Sequence, residues 1–500
     1  MRILGLDIGT TGCKATVFED SGELLGKASR EYSIDIPHPG WAEQDPEEVW
    51  RLAQQAIAEV LLKTAGHVSA VGLSVQGEAI IPVDKKGHAL RPAILGMDTR
   101  TDEQNARLRE KFGAEHLFQH TGMPLHTINT LPKLLWLKQY EPEVWRSAEK
   151  FLLYEDFIIS KMTGKPAISR CLASRTQVYD IQTQDWSTDI LSYLELETDR
   201  LASVKPSGIA IDTMQPELSH SLGFSQSPLV STGGHDQACG ALGVGLTRPD
   251  LAMVSTGTAE VVEVAMASPA LNETLYAGNL SVYSHVIEGL FLSMTINHSG
   301  GLLLRWFRDT FGQVELEAAA GSGRDAYDLL LEKAPGEPTG LLVLPHFAGA
   351  GSPSFDTRSK GAILGLTFAH DKNHVAKAIL EGTTFELRLN LDVLKKGGVP
   401  IGELRAIGGG ARSPLWLQMK ADITGINVAV PEVTEAASWG AAILAGTAAG
   451  CFSSAAQAAE DCLSIQRRYH PDPNLAIRYE QLYQLYRLVH PALTPILHHL

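Results

Sequence analysis

Two segments of this chain each join a short apolar strand to a glycine–threonine turn. They are residues 4–11 and 253–258, one in each half of the chain. Glycine lets backbone N–H groups approach an anion closely, and threonine hydroxyls add further donors. A spaced pair of such turns predicts two lobes that close on one nucleotide. The predicted phosphate-binding residues are Gly9, Thr10, Thr11, Gly257 and Thr258.

Two aspartates end predicted strands in places suited to metal and proton chemistry. Because Mg²⁺ keeps most of its waters and takes only one or two carboxylates, we expect Asp7 to hold it, through water. Asp236, in the glycine-rich segment 232–240, can take a proton from an attacking hydroxyl and complete the metal site. Two plainer interpretations stay open: a simple hairpin around Asp7, and Asp236 as a cap of the next helix.

His235 and the glycine triplet 408–410 are the next candidates. We interpret His235 as a packed histidine rather than a second base. Three glycines before a helix remove side chains where a flat ring must slide against the backbone, so segment 408–411 is predicted to receive adenine and ribose. A tight strand-to-helix turn explains the triplet equally well.

Length and composition predict a globular protein of two domains. A chain of 500 residues exceeds what one core usually supports, so two domains of roughly 250 residues each are expected. Hydrophobic residues make up 44% and charged residues 20%, which is typical of a globular fold. The net charge of -15, from 42 basic and 57 acidic residues, argues against binding to nucleic acid or to anionic membranes.

The five cysteines indicate a reducing compartment. They are scattered, odd in number and without a CxxC pair, which favours free thiols over disulfides or a zinc site. The N-terminus lacks the apolar region of a signal peptide, and no apolar run reaches the length of about 18 residues that a membrane span needs. We therefore expect a cytoplasmic protein with no membrane segment.

The pattern of apolar residues predicts an α/β lobe in each half. Predicted strands lie at 2–6, 14–18, 24–31, 68–74, 80–84, 251–255, 261–265, 281–287, 291–294 and 404–407. Predicted helices lie at 45–64, where Asp45 can cap, and at 301–311, 375–394, 414–424 and 436–450. A boundary near 240–247 gives domains 1–245 and 246–480, followed by a helical tail at 481–500.

Further segments carry a resemblance to a known family. Residues 361–366 followed, after seven residues, by 374–381 fit its C-terminal signature throughout. Its N-terminal signature is met over 130–137, although Ile128 and Tyr140 depart from it, and residues 40–46 resemble its first-domain segment. The chain thus resembles the FGGY family of carbohydrate kinases, within the actin, hexokinase and Hsp70 superfamily. The resemblance implies an α/β fold of two RNase H-like lobes with a cleft between them.

The resemblance also implies roles by position. It makes Asp236 the catalytic base, links Asp7 to Mg²⁺ and supplies ATP as the phosphoryl donor. The two glycine–threonine turns match the family's phosphate loops. The nucleotide side of the second lobe matches Gly301, Gly409, Gly410 and Ala411. The sugar-binding segments match Gln76, Gly77, Glu78, Asp98, Thr99 and Arg100, with Asp236 and Gln237 closing the site.

The sequence departs from the family pattern in the sugar segments. Glu78 stands where xylulokinases typically show His, and it would accept hydrogen bonds from adjacent hydroxyls. The family's frequent Trp-x-Asp-x-Arg begins here with Gly96, and a common Gly-Glu-Arg-x-Pro is altered over 349–353. We expect a kinase for a small open-chain sugar, first a ketopentose such as xylulose. Kinases for glycerol, a tetritol or gluconate, and a non-catalytic sugar sensor, remain alternatives.

Two other protein classes fit less well. A chaperone-like ATPase would need a peptide-binding region after residue 480, and an oxidoreductase would need a GxGxxG after the first strand. Apolar residues in the tail have helical spacing from Tyr479 to Leu500. We favour packing of this helix on the core over packing on a second subunit, which leaves a homodimer open.

Overall fold

The computed structural model describes residues 1–64 and 66–500, which form two α/β lobes, each built around a seven-stranded sheet. The strands of the first half are β1 (Arg2–Ile8), β2 (Gly12–Glu19), β3 (Leu24–Glu31), β4 (Glu43–Gln44), β5 (Ala70–Val75), β6 (Ile81–Val83), β7 (Ala93–Ile94), β8 (Lys150–Leu152), β9 (Ala167–Ser169), β10 (Tyr179–Asp180), β11 (Asp185–Trp186), β12 (Ser203–Lys205), β13 (Ala210–Thr213), β14 (Leu229–Ser231) and β15 (Gly234–His235). Its helices are α1 (Pro46–Lys63), α2 (Asp102–Phe112), α3 (Ala114–Thr121), α4 (Thr130–Tyr140), α5 (Pro142–Ser147), α6 (Tyr154–Thr163), α7 (Arg170–Ser174), α8 (Thr188–Leu194), α9 (Pro216–Leu222) and α10 (Asp236–Gly243).

The second half has the same mixture of strands and helices. Its strands are β16 (Asp250–Thr256), β17 (Glu260–Met266), β18 (Ser281–Ser284), β19 (Phe291–Asn297), β20 (Leu342–Leu344), β21 (Ala362–Leu364), β22 (Ile401–Gly408), β23 (Asn427–Pro431) and β24 (Ile465–Tyr469). Its helices are α11 (Glu273–Ala277), α12 (Gly301–Phe311), α13 (Gln313–Ser322), α14 (Ala326–Leu331), α15 (Lys372–Lys396), α16 (Pro414–Thr424), α17 (Ala436–Ala448), α18 (Ala455–Asp461) and α19 (Pro473–Leu497). A 3₁₀ turn, Gly409–Arg412, joins β22 to α16.

The two main sheets repeat one local arrangement. In the first sheet, ordered β13-β14-β5-β1-β2-β3 with β15 as a seventh strand paired to β5, β1 lies between antiparallel β2 and parallel β5. In the second, ordered β18-β19-β17-β16-β22-β23-β24, β16 lies between antiparallel β17 and parallel β22. All six residues of β5 are buried, as expected for a parallel strand covered on both faces. This repetition confirms the predicted pair of α/β lobes.

Several predicted elements are confirmed, whereas the predicted strand 281–287 extends too far. Asp45 caps α1 by accepting a hydrogen bond from the Glu47 backbone N–H at 2.9 Å, as its position predicted. The predicted strand 281–287 is wrong beyond Ser284, because His285 N–H bonds to Leu290 O and closes a turn there. Helices 301–311 and 414–424 have their predicted bounds.

Helix α17 belongs to the second half of the chain but packs on the first sheet. A Cβ added to Gly5 in β1 would lie 1.9 Å from Ser438 O, and one added to Gly72 in β5 would lie 2.0 Å from Ala441 O. Glycine is therefore required at both strand positions for the helix backbone to approach so closely. The pattern of apolar residues along the sequence did not predict that α17 packs on the sheet of the other half. The domain bounds near residue 245 stay a prediction.

Replacement of Gly5 by alanine is expected to destabilise the protein by about 2 kcal/mol or more, because the helix must move to admit the new methyl group. The measurement is the shift in the midpoint of thermal unfolding. Gly321 in α13 is the matched control, since an added Cβ there meets nothing within 4 Å. Gly321→Ala should keep or slightly raise stability, because alanine favours helix. Equal stability of the two variants would contradict the close packing of α17 on β1.

The C-terminal helix α19 packs on the second lobe. Tyr479, Tyr483 and Tyr486 are each 1% exposed and join one core cluster with Phe385 of α15. The preference for core packing over a second subunit is thus confirmed for this face of the helix, while a homodimer stays a prediction. In the described residues, no helix combines the length and the apolar character that a membrane span requires.

Candidate active site

Three parallel strands of the first sheet end at one edge. β5 pairs in parallel register with β1, where Asp7 lies opposite Ser74, and with β15, where His235 lies opposite Val75. Residues that follow these strands therefore meet at the same edge. The structure thereby brings together the first turn, the segment after β5 and Asp236.

Asp236 is the first residue of α10, directly after β15. Its Oδ1 accepts a hydrogen bond from the Gln237 backbone N–H at 2.6 Å, and 29% of its side chain is exposed. Burial of the carboxyl, followed by the negative charge of Asp7, raises the pKa of Asp236 to about 7. A general base must exchange a proton near the working pH. The Asp236 carboxyl can do so near neutral pH, because its pKa is raised and part of its side chain stays exposed.

Asp7 provides a second carboxylate beside Asp236. Its Oδ1 accepts a hydrogen bond from Ser74 Oγ at 2.7 Å, and burial raises its pKa. Two carboxylates that repel each other and offer only oxygen suit Mg²⁺, a hard cation that takes few protein ligands. Within residues 1–64 and 66–500, no cluster of three or more acidic, histidine or cysteine side chains could hold a metal. A cation between these aspartates would therefore complete its shell with water or phosphate.

The first glycine–threonine turn is a tight hairpin held from below. Gly9 N–H bonds to Gly12 O at 2.9 Å, while Gly9 O accepts from the Tyr32 hydroxyl at 2.7 Å. Gln44 Nε2 donates to Thr10 O at 2.9 Å, and Gln44 Oε1 accepts from Gln76 Nε2 at 3.1 Å. The acceptors in the turn are the backbone carbonyl groups of Gly9, Thr10 and Gly12. Thr11, at the tip of the turn, is exposed. Tyr32 and Gln44 were not predicted as site residues, although Gln44 lies in a segment that carries the family resemblance.

The second turn gathers the predicted residues of the nucleotide side. Gly301 N–H bonds to Gly257 O at 2.8 Å, which sets the start of α12 against the turn. A Cβ added to Gly410 would lie 2.7 Å from Thr256 Cβ, so the 3₁₀ turn that also carries Gly409 and Ala411 packs on the same strand end. A Cβ at Gly257 would meet no atom nearer than 4.0 Å. The backbone at Gly257 therefore borders open space, which is compatible with a bound phosphate or adenine ring.

His235 is packed rather than poised as a base, as predicted from the sequence. The residue is 6% exposed, and its ring lies edge-on to Tyr283 with centroids 5.9 Å apart. Burial and the nearby Arg175 charge hold the pKa of His235 well below its usual range. The ring packs on Gly77, where an added Cβ would lie 2.8 Å from His235 Cδ2, and its Nε2 lies 3.4 Å from Asp236 Oδ1.

The predicted sugar residues divide into two groups. In the first group, Gly77 packs on His235, Gln237 follows Asp236 directly, Gln76 bonds to Gln44 and Glu78 pairs with Arg175. By contrast, Asp98 and Arg100 are 0% and 1% exposed and form an ion pair at 2.7 Å. Arg100 also stacks on Trp41, with its Cζ 3.7 Å from the ring centroid. These two side chains are thus closed on each other and on Trp41, and their contact with sugar stays a prediction.

Glu155 is a functional candidate that sequence reasoning missed. It lies in α6, is fully buried, and its Oε1 accepts from the Gly233 backbone N–H at 2.7 Å. Its Oε2 accepts from Ser169 Oγ at 2.7 Å. Burial raises the pKa of Glu155 to about 7. Glu155 thus fixes the loop that carries Asp236, and only the folded chain places the two together.

Comparison with known proteins gives matches along nearly the whole chain. Residues 2–243 and 252–449 match the models described as the N-terminal and C-terminal domains of the FGGY family of carbohydrate kinases. A xylulose kinase from Lactococcus lactis is 30% identical over 100% of this chain and 98% of its own. A gluconokinase from Bacillus subtilis is 29% identical over 97% of this chain and 94% of its own. The crystal structure of a xyloylose kinase from Brucella ovis, 28% identical, has a TM-score of 0.90 and covers 99% of this chain and 100% of that one.

Proposed function

Because the chain belongs to the FGGY family of carbohydrate kinases and is an ATP-dependent sugar kinase, we propose that Asp236 is its catalytic base and a ketopentose such as xylulose its acceptor. The observation that carries the first part is the placement of Asp236 beside Asp7 at the strand edge that also holds the first turn. The second part is supported by relatives named xylulose kinase over the full chain.

In the proposed reaction, Asp236 accepts the proton of the acceptor hydroxyl while that oxygen attacks the γ-phosphorus of ATP. One O–P bond forms, the bond to the β-phosphate oxygen breaks, and ADP leaves. Backbone N–H groups and hydroxyls of the two turns orient the phosphates, and Gln237 positions the acceptor. Most catalysis of phosphoryl transfer lies in such positioning and charge stabilisation.

We propose that Asp7 and Asp236 hold Mg²⁺ together with the phosphates of ATP. When bound, the ion neutralises charge on the β- and γ-phosphate oxygens. The second-lobe residues Gly257, Thr258, Gly301 and the turn 409–411 would hold the nucleotide. Their shared position around the end of β16 supports this assignment.

The direct test is release of ADP from MgATP across a panel of ketopentoses, alditols and aldonates. We expect at least one ketopentose to stimulate turnover well above the rate without acceptor. A panel in which no compound stimulates ADP release, although some bind, would favour the non-catalytic sensor.

The kcat/KM for the acceptor is expected to rise with pH through about 7 and then level off. The base must be deprotonated to act, and kcat/KM reports the pKa of the free enzyme, which burial and Asp7 raise to about 7 for Asp236. The measurement is kcat/KM between pH 5.5 and 9 at a fixed, subsaturating MgATP concentration. A profile that is flat below pH 7 would contradict Asp236 as the base.

We also propose that the enzyme acts in the cytoplasm, as the composition predicted. The five cysteines are free thiols, and Cys13, Cys171 and Cys239 are buried. Unpaired buried thiols are typical of a reducing compartment, where ATP is also supplied.

A further inference from the structure

Phe355 lies in the loop between β20 and β21 and has a backbone conformation that a bulky residue rarely adopts. Its φ is 47°, in the left-handed region. Its backbone N–H donates to Gly351 O at 2.8 Å. Ala350 N–H donates to Asp356 O at 2.9 Å, so the loop is closed by its own backbone. Strain of this kind persists where the surroundings impose it, and it is concentrated at functional sites.

The Phe355 ring joins the second lobe to the first. On one side, its centroid lies 5.6 Å from that of His126, which belongs to the segment between α3 and α4 of the first half. On the other side lies His298, directly after β19, with ring centroids 5.9 Å apart and planes at 83°. Both separations are in the range of a favourable aromatic contact. Phe355 therefore fills the space between two histidines that come from opposite lobes.

His126 belongs to a turn that borders the predicted sugar segment. Its Nδ1 accepts from the Ile128 backbone N–H at 3.0 Å, so the ring itself closes the turn. Lys133 Nζ links the turn to the sugar segment, since it donates to Ile128 O at 2.7 Å and to Glu78 O at 3.1 Å. A Cβ added to Gly96 would lie 3.4 Å from Ile128 Cγ1 and 3.5 Å from Glu78 Oε2. Ile128 and Glu78 therefore face the same space.

Asp356, the next residue after Phe355, is held by the C-terminal helix α19. Its Oδ2 contacts the Nε2 atoms of His498 and His490 at 2.7 and 3.2 Å. Burial acts to raise the pKa of Asp356, but hydrogen bonds from His498 and His490 hold it below its usual value. The ionised carboxylate only accepts hydrogen bonds, so both histidines donate to it. The loop is thus tied to α19 directly beside Phe355.

The two histidines continue the face by which α19 packs on the second lobe. Helical spacing places on one face Tyr479, Tyr483, Tyr486 and His490. The tyrosines are buried in a core cluster, whereas His490 and His498 keep 18% and 20% of their side chains exposed. An apolar residue in place of His490 would continue the packing, but histidine provides a donor for the loop. This end of α19 therefore serves the loop rather than the core.

We propose that Phe355 is a positioning residue for the acceptor, which orders the turn at residues 126–129 from the opposite lobe and is itself held by α19 through Asp356. Without the ring, the His126 side chain would turn freely, its bond to the Ile128 N–H would weaken, and the wall of the sugar site would loosen. The C-terminal helix thereby acts on acceptor binding from outside the site. The inference rests on the proposed function, since it assigns this wall to the acceptor.

The first test is Phe355→Ala, with kinetics for the panel acceptor of highest kcat/KM. We expect KM for the acceptor to rise about 10-fold or more, because part of the binding energy must then order the turn. Both kcat, within about 3-fold, and KM for ATP, within about 2-fold, should stay near wild type, since only acceptor binding is weakened. Phe355→Tyr keeps the ring and should restore the wild-type KM. Phe368→Ala is the matched control, since the Phe368 side chain is fully exposed, and it should change nothing.

The link to α19 is tested by non-additivity. Asp356→Ala, and His490→Ala combined with His498→Ala, should each raise KM for the acceptor about 5-fold. In the Phe355→Ala background each should add less than about 2-fold, because residues that act through one another are coupled. His499→Ala is the control, since this histidine is exposed on the surface. Fully additive effects on KM would overturn the role of α19.

Amide hydrogen exchange of the full-length enzyme without acceptor tests the ordering of the turn by itself. Phe355→Ala and Asp356→Ala should both speed exchange at the Ile128 and Asn129 amides about 10-fold, since both amides donate to His126. The amides of α6, in the same lobe, should exchange as in wild type. Faster exchange confined to the second lobe would show that α19 only stabilises that lobe, and would overturn the inference.

The outcomes separate this inference from the proposed function. If the enzyme phosphorylates an acceptor but KM does not change in Phe355→Ala, the inference fails and the kinase stands. If no acceptor stimulates ADP release, the proposed function fails, and exchange at Ile128 and Asn129 decides whether Phe355 orders the turn. Should Phe355→Ala prove unstable, the double variant of His490 and His498, which leaves the ring in place, decides the inference by the same KM and exchange criteria.

Discussion

Replacement of Asp236 by asparagine should lower kcat by about 10³-fold or more while MgATP still binds. General base catalysis contributes about 10²–10⁴-fold, and asparagine keeps the size of the side chain but cannot take a proton. The measurement is steady-state ADP release with the best acceptor of the panel, together with the Kd for MgATP.

Asp189→Asn is the matched control for this variant. Asp189 lies in the first turn of α8, as Asp236 lies in the first turn of α10, but it is exposed on the surface. Its replacement should leave kcat within about 2-fold of wild type. A kcat for Asp236→Asn within 10-fold of wild type would show that another group takes the proton.

The same substitution should raise stability above pH 7 in the absence of metal. Burial raises the pKa of Asp236 from 3.8 to about 7 in the folded protein, so its contribution to stability is complete below pH 4 and is lost as pH rises through 7. Asparagine has no such loss. Asp236→Asn should therefore exceed wild type at pH 8 by on the order of 2 kcal/mol, after allowance for solvent screening at its exposed edge, and match it near pH 4. Urea unfolding with EDTA at both pH values measures this.

Local patterns were sufficient to predict the elements around the candidate active site. The two glycine–threonine turns, the end of β1 that contains Asp7, the strand end before Asp236 and the bounds of α12 all depend on residues that are neighbours in sequence. Turn residues and apolar periodicity report such short-range preferences directly.

Contacts between distant segments could not be predicted in this way. Arg175 follows a short helix and shows no motif, yet it holds Glu78, which lies 97 positions earlier. Asp98 and Arg100 resemble binding residues by type, but the fold closes them on each other. The placement of α17 on the first sheet depends on glycines more than 360 positions away, such as Gly72, which lies opposite Ala441. Only the packed chain brings such partners together.

The second turn depends on a buried ion pair of the same long-range kind. Lys420 of α16 contacts Glu260 Oε2, and each side chain is 1% exposed. That oxygen also accepts from Thr256 Oγ1 at 2.7 Å, directly before Gly257. The Lys420 Nζ lies 4.9 Å from the centroid of the Trp416 ring. The network thus holds the residue that directly precedes the second turn.

Lys420→Met is expected to destabilise the protein by about 3–5 kcal/mol, because it leaves the Glu260 carboxylate buried and uncompensated. The midpoint of thermal unfolding should fall by about 6 °C or more. Since Glu260 also holds Thr256, we expect KM for ATP to rise about 10-fold while KM for the acceptor stays near wild type. Differential scanning calorimetry and initial rates measure the two effects.

A double variant distinguishes the effect of removing the whole Lys420–Glu260 ion pair from the effect of removing the lysine alone. Lys420→Met with Glu260→Gln removes both charges and should recover most of the stability, since a buried pair costs far less to delete whole than to break. Glutamine can still accept from Thr256, so KM for ATP should also return toward wild type. Lys396→Met, at an exposed lysine in α15, should change neither quantity. If the double variant is as unstable as Lys420→Met alone, packing of the lysine stem against Trp416, and not the charge of Glu260, supports the turn.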